Sequence, residues 1–195
     1  PETGSRGHRI AQAASSFPGP GCARCLTRVV RGEAVRLEHR YPEKHGCAEP
    51  VPEWVSRVTM LVNDLAALLE GCETVLDLGC GAAPLPLSKR PRLAVGVDGY
   101  LPSLRLSRGE GTHDEFVLAD LRFLPFKERS FDCTLALDVI EHLGKGEGLA
   151  LLDVMERIAR KQVIILTPNG FLPKGELEDG NPLQVHHSGW HASDF

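Results

Sequence analysis

Short runs of apolar residues recur from residue 75 onward, and most of them end at an acidic residue. They predict five β-strands, over residues 75–78, 93–98, 116–120, 131–138 and 162–167. In the first run, Val75, Leu76 and Leu78 read as a buried strand that leads into a glycine turn.

Segments with helical spacing separate these strands. An amphipathic helix is predicted over residues 52–70, with Gly71 as its natural end. Three prolines within residues 84–91 leave barely two helical turns before the second strand. Residues 102–108 predict a short helix, and residues 144–160 a longer one. The apolar face of that longer helix is expected to comprise Leu149, Leu152, Met155, Ile158 and Ala159. Strands that alternate with helices predict an α/β fold with parallel pairing and right-handed crossovers.

The glycine turn after the first strand is the clearest chemical signal. Gly79 and Gly81 let a backbone turn sharply and approach a ligand closely, as nucleotide-binding turns do in open α/β sheets. A dinucleotide fingerprint fails here, because its third glycine would fall on Pro84. Asp77, inside the turn, would repel a pyrophosphate and attract a cationic or zwitterionic ligand.

Acidic residues at successive strand ends extend this pattern. Asp98 lies 21 residues after Asp77, and a carboxylate there can accept hydrogen bonds from both ribose hydroxyls. Asp120 and Asp138 close the third and fourth strands. Each acid alone would fit a helix N-cap or a loop residue. Asp98, Asp120 and Asp138, one at the end of each successive strand, predict a nucleoside-binding cleft.

The segment Asp77-Leu-Gly-Cys-Gly-Ala-Ala83 resembles motif I of the class I S-adenosylmethionine (SAM) methyltransferases, acid-x-G-x-G-x-G, with Ala83 in place of the third glycine. The resemblance implies a Rossmann-like, mostly parallel sheet in the strand order 3-2-1-4-5, with SAM as the cofactor. It also implies that Asp120 contacts the adenine amino group. The expected cofactor-binding residues are Asp77, Gly79, Cys80, Gly81, Asp98, Gly99, Asp120, Leu121 and Asp138.

The composition limits the size of the core and the kinds of partner that the chain can have. A chain of 195 residues with 42% hydrophobic residues can bury one sizeable core, and its net charge of −4 offers no electrostatic footprint for nucleic acid. DNA is therefore not expected as a partner, whereas RNA stays possible without being indicated. No apolar run approaches the ~20 residues that span a bilayer, so no membrane partner is expected. The oligomeric state is left open.

The chain divides into three predicted parts. Residues 1–21 are expected to be flexible, residues 22–51 to form a polar extension with a short hairpin near Arg31-Gly32, and residues 52–195 to form the SAM-binding domain. Class I methyltransferases carry two further strands after the fifth, the last inserted antiparallel. The residues after strand five read as loop, so strands six and seven are expected to be absent. Strand five then needs cover from the N-terminal region or from a partner. Without a starting Met, the chain is expected to be a fragment or a processed form.

The six cysteines are scattered, which favours a reducing cytoplasm over a disulfide scaffold. Cys22-Ala-Arg-Cys25 has the spacing of half a zinc site, and Cys47, His45 and His39 are the residues that would complete it. An ordinary reduced loop is the simpler interpretation, and no metal is predicted.

Asp138-Val-Ile-Glu-His142 carries the candidate catalytic residues Asp138, Glu141 and His142. His142 is placed to deprotonate an acceptor, although Glu141-His142 also fits a plain helix start. The string resembles the matching segment of ubiquinone-biosynthesis and small-RNA 2′-O-methyltransferases. That resemblance implies an alternative in which Asp138, Glu141, His142 and either His186 or His187 hold a divalent metal.

Strings in the tail resemble a subfamily of small bacterial and archaeal class I methyltransferases of unassigned substrate, at residues 167–173, 179–184 and 188–190. The resemblance implies an acceptor pocket lined or capped by His186, His187, Trp190 and His191, while a histidine-rich surface loop is an equal alternative. The function predicted first is methyl transfer from SAM to a small-molecule acceptor, at oxygen or another heteroatom. An RNA or protein methyltransferase, and a SAM-binding module without independent activity, remain as alternatives.

Overall fold

The computed structural model describes residues 24–30, 33–36, 65–82, 90–111, 113–174 and 180–195. Its strands are β1 (Arg24–Val30), β2 (Glu33–Arg36), β3 (Thr74–Leu78), β4 (Leu93–Asp98), β5 (Glu115–Leu118), β6 (Phe131–Leu137) and β7 (Ala159–Pro168). Its helices are α1 (Leu101–Glu110) and α2 (Lys145–Ile158). Short 3₁₀ turns cover Ile140–His142, Pro182–Gln184 and Ala192–Asp194.

The seven strands form one sheet in the order β2-β1-β7-β6-β3-β4-β5. From β5 to β7 all neighbours pair in parallel. Numbered from β3 in chain order, these five strands stand in the order 3-2-1-4-5, so the predicted Rossmann-like topology is confirmed. Because parallel strands all end at one edge, the turns after β3, β4, β5 and β6 lie along that edge.

The N-terminal hairpin covers the edge of β7. β1 pairs antiparallel with β7, with Leu26 opposite Leu166, and β2 pairs antiparallel with β1. β1 therefore takes the place next to strand five that an inserted antiparallel strand holds in class I methyltransferases. Of the two predicted ways to protect strand five, cover by the N-terminal region is confirmed. Among the residues described after Pro168, no strand forms beyond single bridges to Trp190.

Alternate residues of the central strands face opposite sides of the sheet, as strand geometry requires. Leu76 and Leu78 pack in one buried cluster with Met155 of α2. Val75 packs in a second cluster with Leu65, at the end of a helix. The predicted helix over 52–70 is described only from residue 65, and it stops before Gly71, which has φ of 76°. Residues 52–64 lie outside the described part of the chain.

Two predicted helix details need correction. α2 ends at Ile158, because Ala159 and Arg160 already belong to β7. Its buried residues are Gly148, Leu151, Met155 and Ile158, whereas Leu149 is 45% exposed. The face predicted with Leu149 was wrong because Gly148, which lacks a side chain, lies against the core. The predicted helix over 102–108 is confirmed as α1.

Several predictions concern residues that lie outside the described ranges. Residues 83–89, which contain Ala83 and Pro84, lie outside the described ranges, and so do Cys22, His39, His45 and Cys47. Within the described ranges, no helix combines the length and the apolar character that crossing a bilayer requires.

Trp190 anchors the tail to α2. Its ring is fully buried, its Nε1 donates to Ser188 Oγ at 2.8 Å, and Lys145 Nζ lies 3.8 Å from the ring centroid. The same lysine donates to the carbonyl of Gly189 at 2.7 Å. A Cβ at Gly148 would overlap the Trp190 ring. The absence of a side chain at Gly148 therefore makes room for this anchor.

We expect Gly148→Ala to destabilise the protein by about 1–3 kcal/mol, because the added methyl overpacks a buried ring. The matched control is Gly146→Ala on the same helix, where a Cβ meets nothing within 4 Å. That variant should be neutral or gain up to about 1 kcal/mol from helix propensity. Denaturant unfolding measures both changes. Equal shifts in the two variants would contradict the packing of Trp190 on Gly148.

Candidate active site

Two tight turns meet at the carboxyl edge of the sheet, one after β3 and one after β6. Gly79 and Gly81 have φ of 67° and 61°, which favours glycine. A Cβ at Gly79 would lie 2.6 Å from Cγ2 of Val139. The predicted glycine turn therefore packs directly against the turn that carries the candidate catalytic residues.

Asp98 is bound to the glycine turn. Its Oδ2 accepts a hydrogen bond from the amide of Gly81 at 2.9 Å, and its Oδ1 accepts one from the amide of Tyr100 at 2.7 Å. Each carboxylate oxygen has a second lone pair that can accept from a hydroxyl. The structure thus brings together two residues predicted for cofactor binding and fixes the orientation of the carboxylate.

Asp77 lies deeper than Asp98 and has a partner that the sequence analysis missed. Its Oδ2 lies 2.9 Å from Nε2 of His113, and both residues are almost fully buried. Burial raises the pKa of Asp77, while the hydrogen bond to His113 opposes that rise. A Cβ at Gly96 would lie 3.2 Å from His113 and 2.9 Å from the Cys80 sulfur. A glycine inside a strand marks such a close approach, so Gly96 was the available signal.

Cys80 packs inside the turn as a small apolar group. The residue is buried, and burial raises the pKa of its thiol far above the usual value. This side chain therefore stays protonated and offers no nucleophile.

Asp120 is more exposed than the other acids and is engaged by an arginine. Arg122 donates from Nη2 to Oδ2 at 2.6 Å and from Nε to Oδ1 at 2.9 Å. These bonds hold the pKa of Asp120 below its usual value. Arg122 also reaches Glu147 of α2 at 3.2 Å. The carbonyl of Asp98 accepts from the amide of Ala119 at 3.1 Å, which places Asp120 close to the end of β4. Leu121 packs partly into the core.

The turn after β6 presents Asp138, Glu141 and His142. Asp138 has φ of 54°, which is unusual for a residue with a side chain, and its amide donates to the carbonyl of Leu166 at 2.7 Å. Glu141 is 2% exposed and accepts from the hydroxyl of Thr167 at 3.0 Å. A backbone held in a sparsely populated region beside a buried carboxylate is a feature found at functional sites.

The tail joins this turn through backbone hydrogen bonds and histidines. The carbonyl of Glu141 accepts from the amides of His187 and Ser188, at 2.8 and 3.1 Å. Nδ1 of His142 lies 3.1 Å from the carbonyl oxygen of Val185. The His142 and His186 rings meet edge to face, with centroids 4.7 Å apart. Burial lowers the pKa of His142.

One ligand atom each from Glu141, His142 and His186 lies within 4.8 Å of the other two. Of the two tail histidines proposed as partners, His186 therefore joins the cluster, whereas His187 is exposed. Trp190, which was expected to line or cap the acceptor pocket, lies in the core instead, and His191 is exposed. Trp190 is too apolar to stay at the surface when α2 offers it a pocket at Gly148.

Taken together, these features define an α/β domain with a buried carboxylate, Asp98, one strand away from a glycine turn. The family described as a methyltransferase domain matches residues 76–172. This match and the 3-2-1-4-5 sheet support the predicted class I SAM-dependent methyltransferase, a family whose cofactor is SAM.

Solved structures agree on the fold. The magnesium protoporphyrin IX methyltransferase ChlM from Synechocystis PCC 6803 with bound SAM superimposes with a TM-score of 0.51 and 20% identity, over 75% of this chain and 71% of that chain. A SAM-dependent methyltransferase from Archaeoglobus fulgidus gives a TM-score of 0.52 and 18% identity, over 71% and 63%. The PH0226 protein from Pyrococcus horikoshii OT3 has a TM-score of 0.49 and 24% identity, over 59% of this chain and 54% of that chain. The chain thus spans about half of the PH0226 protein's length. A comparison with proteins of curated function finds no match.

Proposed function

We propose that this protein transfers a methyl group from SAM to a small-molecule acceptor, at oxygen or another heteroatom. The observation that carries the proposal is the contact between the Gly79 turn and the Val139 turn. Parallel pairing gives further support, since Asp98 and the Glu141-His142 pair follow strands that end at this same edge of the sheet.

The residues present fit the cofactor. Asp98 would bind the ribose hydroxyls, because its carboxylate is fixed by two amides and keeps lone pairs for further donors. The glycine turn would leave room for the amino-acid portion of the cofactor. Asp120 and Leu121 would lie at the adenine. The proposed cofactor residues are Asp77, Gly79, Cys80, Gly81, Asp98, Gly99, Asp120, Leu121 and Asp138.

Bound SAM supplies a methyl group on a positively charged sulfur, so the transfer is an in-line displacement with its own driving force. The protein has to align the acceptor and exclude water. Where the acceptor is a hydroxyl, His142 would take its proton at Nε2, since Nδ1 already faces the carbonyl of Val185. The methyl carbon would exchange its bond to sulfur for a bond to the acceptor oxygen, leaving S-adenosylhomocysteine, and the His142 imidazole would carry the acceptor's proton away. Glu141 and Asp138 would position this turn.

A metal-assisted variant of the same reaction has support of its own. His142 and His186 each place Nδ1 near a backbone carbonyl, at 3.1 and 2.6 Å, and Glu141 is oriented by Thr167. Such outer contacts fix ring orientation and leave Nε2 as a ligand, as at metal sites. Nε2 of His142 can bind a metal or accept a proton, but not both at once. An experiment can therefore separate its role as a metal ligand from its role as a base.

An RNA or protein acceptor on the same core, and a SAM-binding module without independent activity, are the other candidates. No specific observation favours either candidate. The net charge of −4 offers no electrostatic footprint for RNA, and the proposed catalytic pair Glu141-His142 favours an active enzyme. We propose that the reaction takes place in the cytoplasm, because Cys72 and Cys80 are free thiols.

Calorimetric titration with S-adenosylhomocysteine tests the cofactor. We expect binding to the wild type and a loss of about 1–3 kcal/mol in Asp98→Ala, as for lost hydrogen bonds to a charged group. Asp153→Ala, an exposed carboxylate on α2, is the control and should bind normally. No heat from the wild type at millimolar ligand would contradict the proposed function. Unchanged affinity in Asp98→Ala would contradict the ribose assignment alone.

Titration with Mn²⁺ separates the two roles of His142. If the cluster binds metal, His186→Ala should lower Mn²⁺ affinity at least about tenfold, whereas the neighbouring His187→Ala should not, because its side chain is exposed. If the wild type binds no Mn²⁺, the metal variant is wrong and His142 acts as the base alone. In that case His142→Ala should lower kcat by about 10²–10⁴-fold, with little change in S-adenosylhomocysteine affinity.

A further inference from the structure

The tail crosses the carboxyl edge of the sheet as a braced segment, residues 181–188, which we call the tail strap. Lys174 Nζ donates to Gln184 Oε1 at 3.0 Å, and the amide of His186 donates to the carbonyl of Lys174 at 3.1 Å. At its far end the strap is bound to the carbonyl of Glu141. These attachments hold the strap from Gln184 to Ser188, and Asn181 at its start is buried.

Leu183 lies in the 3₁₀ turn Pro182–Gln184, at the start of the strap. Its amide donates to the side-chain oxygen of Asn181 at 3.0 Å, and Asn181 itself is buried. The leucine is nevertheless 50% exposed. A large apolar side chain at such a position gains little stability for the fold, although the turn beneath it is ordered by several hydrogen bonds.

The contact that Leu183 makes is with the end of β4. A Cβ at Gly99 would lie only 2.9 Å from Cδ1 of Leu183 and 3.7 Å from the carbonyl oxygen of Ala119. Gly99 directly follows Asp98, so the leucine lies beside the carboxylate that would bind the ribose. Ala119, whose carbonyl oxygen lies near the same Cβ position, precedes Asp120 and Leu121, the residues proposed at the adenine.

The position of Leu183 separates it from the site of methyl transfer. β4 and β6 stand on opposite sides of β3, two strand spacings or about 10 Å apart. The three residues from Leu183 to His186 span a similar distance when extended, about 10 Å. The strap thus reaches from the nucleoside end of the cleft to the histidines at its other end.

We propose that Leu183 is a cofactor-binding residue that forms an apolar wall of the adenosine subsite. The proposal rests on the proposed function, because it needs SAM in the cleft beside Asp98. A purine base offers an apolar face, and the exposed half of the leucine would be buried against it. A side chain at Gly99 would shift the end of the leucine, which is half exposed, away from this position.

The test compares two ligands in calorimetric titration, S-adenosylhomocysteine and 5′-methylthioadenosine, which lacks the amino-acid portion. Leu183→Ala should weaken both by a similar factor, about fivefold, since the lost contacts amount to one or two methylene groups. Leu183→Met should retain affinity. The control is Leu149→Ala, a leucine of α2 with a similar exposure of 45%, which should leave both affinities unchanged.

The outcomes are distinct. Unchanged affinity in Leu183→Ala, or a loss for S-adenosylhomocysteine alone, would overturn the wall. Tighter binding of both ligands would overturn it too, since the leucine would then obstruct the site. Thermal unfolding shows whether each variant is folded, and Leu183→Met keeps the comparison informative if the alanine variant is not. A wild type that binds neither ligand would contradict the proposed function itself, a result that differs from any change confined to Leu183.

Discussion

The close approach of Gly79 to Val139 is the constraint on which the rest of the site depends. Parallel pairing brings β3 and β6 side by side, but it does not by itself bring their following turns into contact. Contact requires a residue with positive φ and no side chain at position 79. With that condition met, the Gly81 amide that fixes Asp98 and the turn that carries Glu141 and His142 belong to one packed unit. The turn proposed to bind the cofactor and the turn proposed to face the acceptor are therefore packed against each other.

The N-terminal hairpin gives the tail a different use. In class I methyltransferases two further strands follow the fifth and extend the sheet. Here β1 and β2 extend the sheet beyond β7, so the tail residues described after Pro168 do not have to protect that edge. They cross the carboxyl edge of the sheet instead, anchored by Trp190 in the core.

Much of the fold could be predicted from the sequence, because local patterns dictate it. Apolar runs that end in acids located β3, β4 and β6 nearly to the residue, and family resemblance supplied their order. The site was less predictable where it depends on contacts between distant segments. His113 reaches Asp77 across 36 residues, and Val185 reaches His142 across 43. Neither contact leaves a periodic trace in the sequence. Trp190 was misplaced because its pocket is created by the lack of a side chain at Gly148.

The tail strap joins the two ends of the cleft physically, and this bears on how the ends communicate. Leu183 contacts the β4 end, while Val185, His187 and Ser188 are bonded to His142 and Glu141. A nucleoside bound against Leu183 would restrict the strap, and a restricted strap would hold His142 and His186 in place. Linkage requires the effect to be mutual, so whatever orders His186 also favours the position of Leu183 beside Gly99. The order of ligand binding would then follow from the strap rather than from contact between the two ligands.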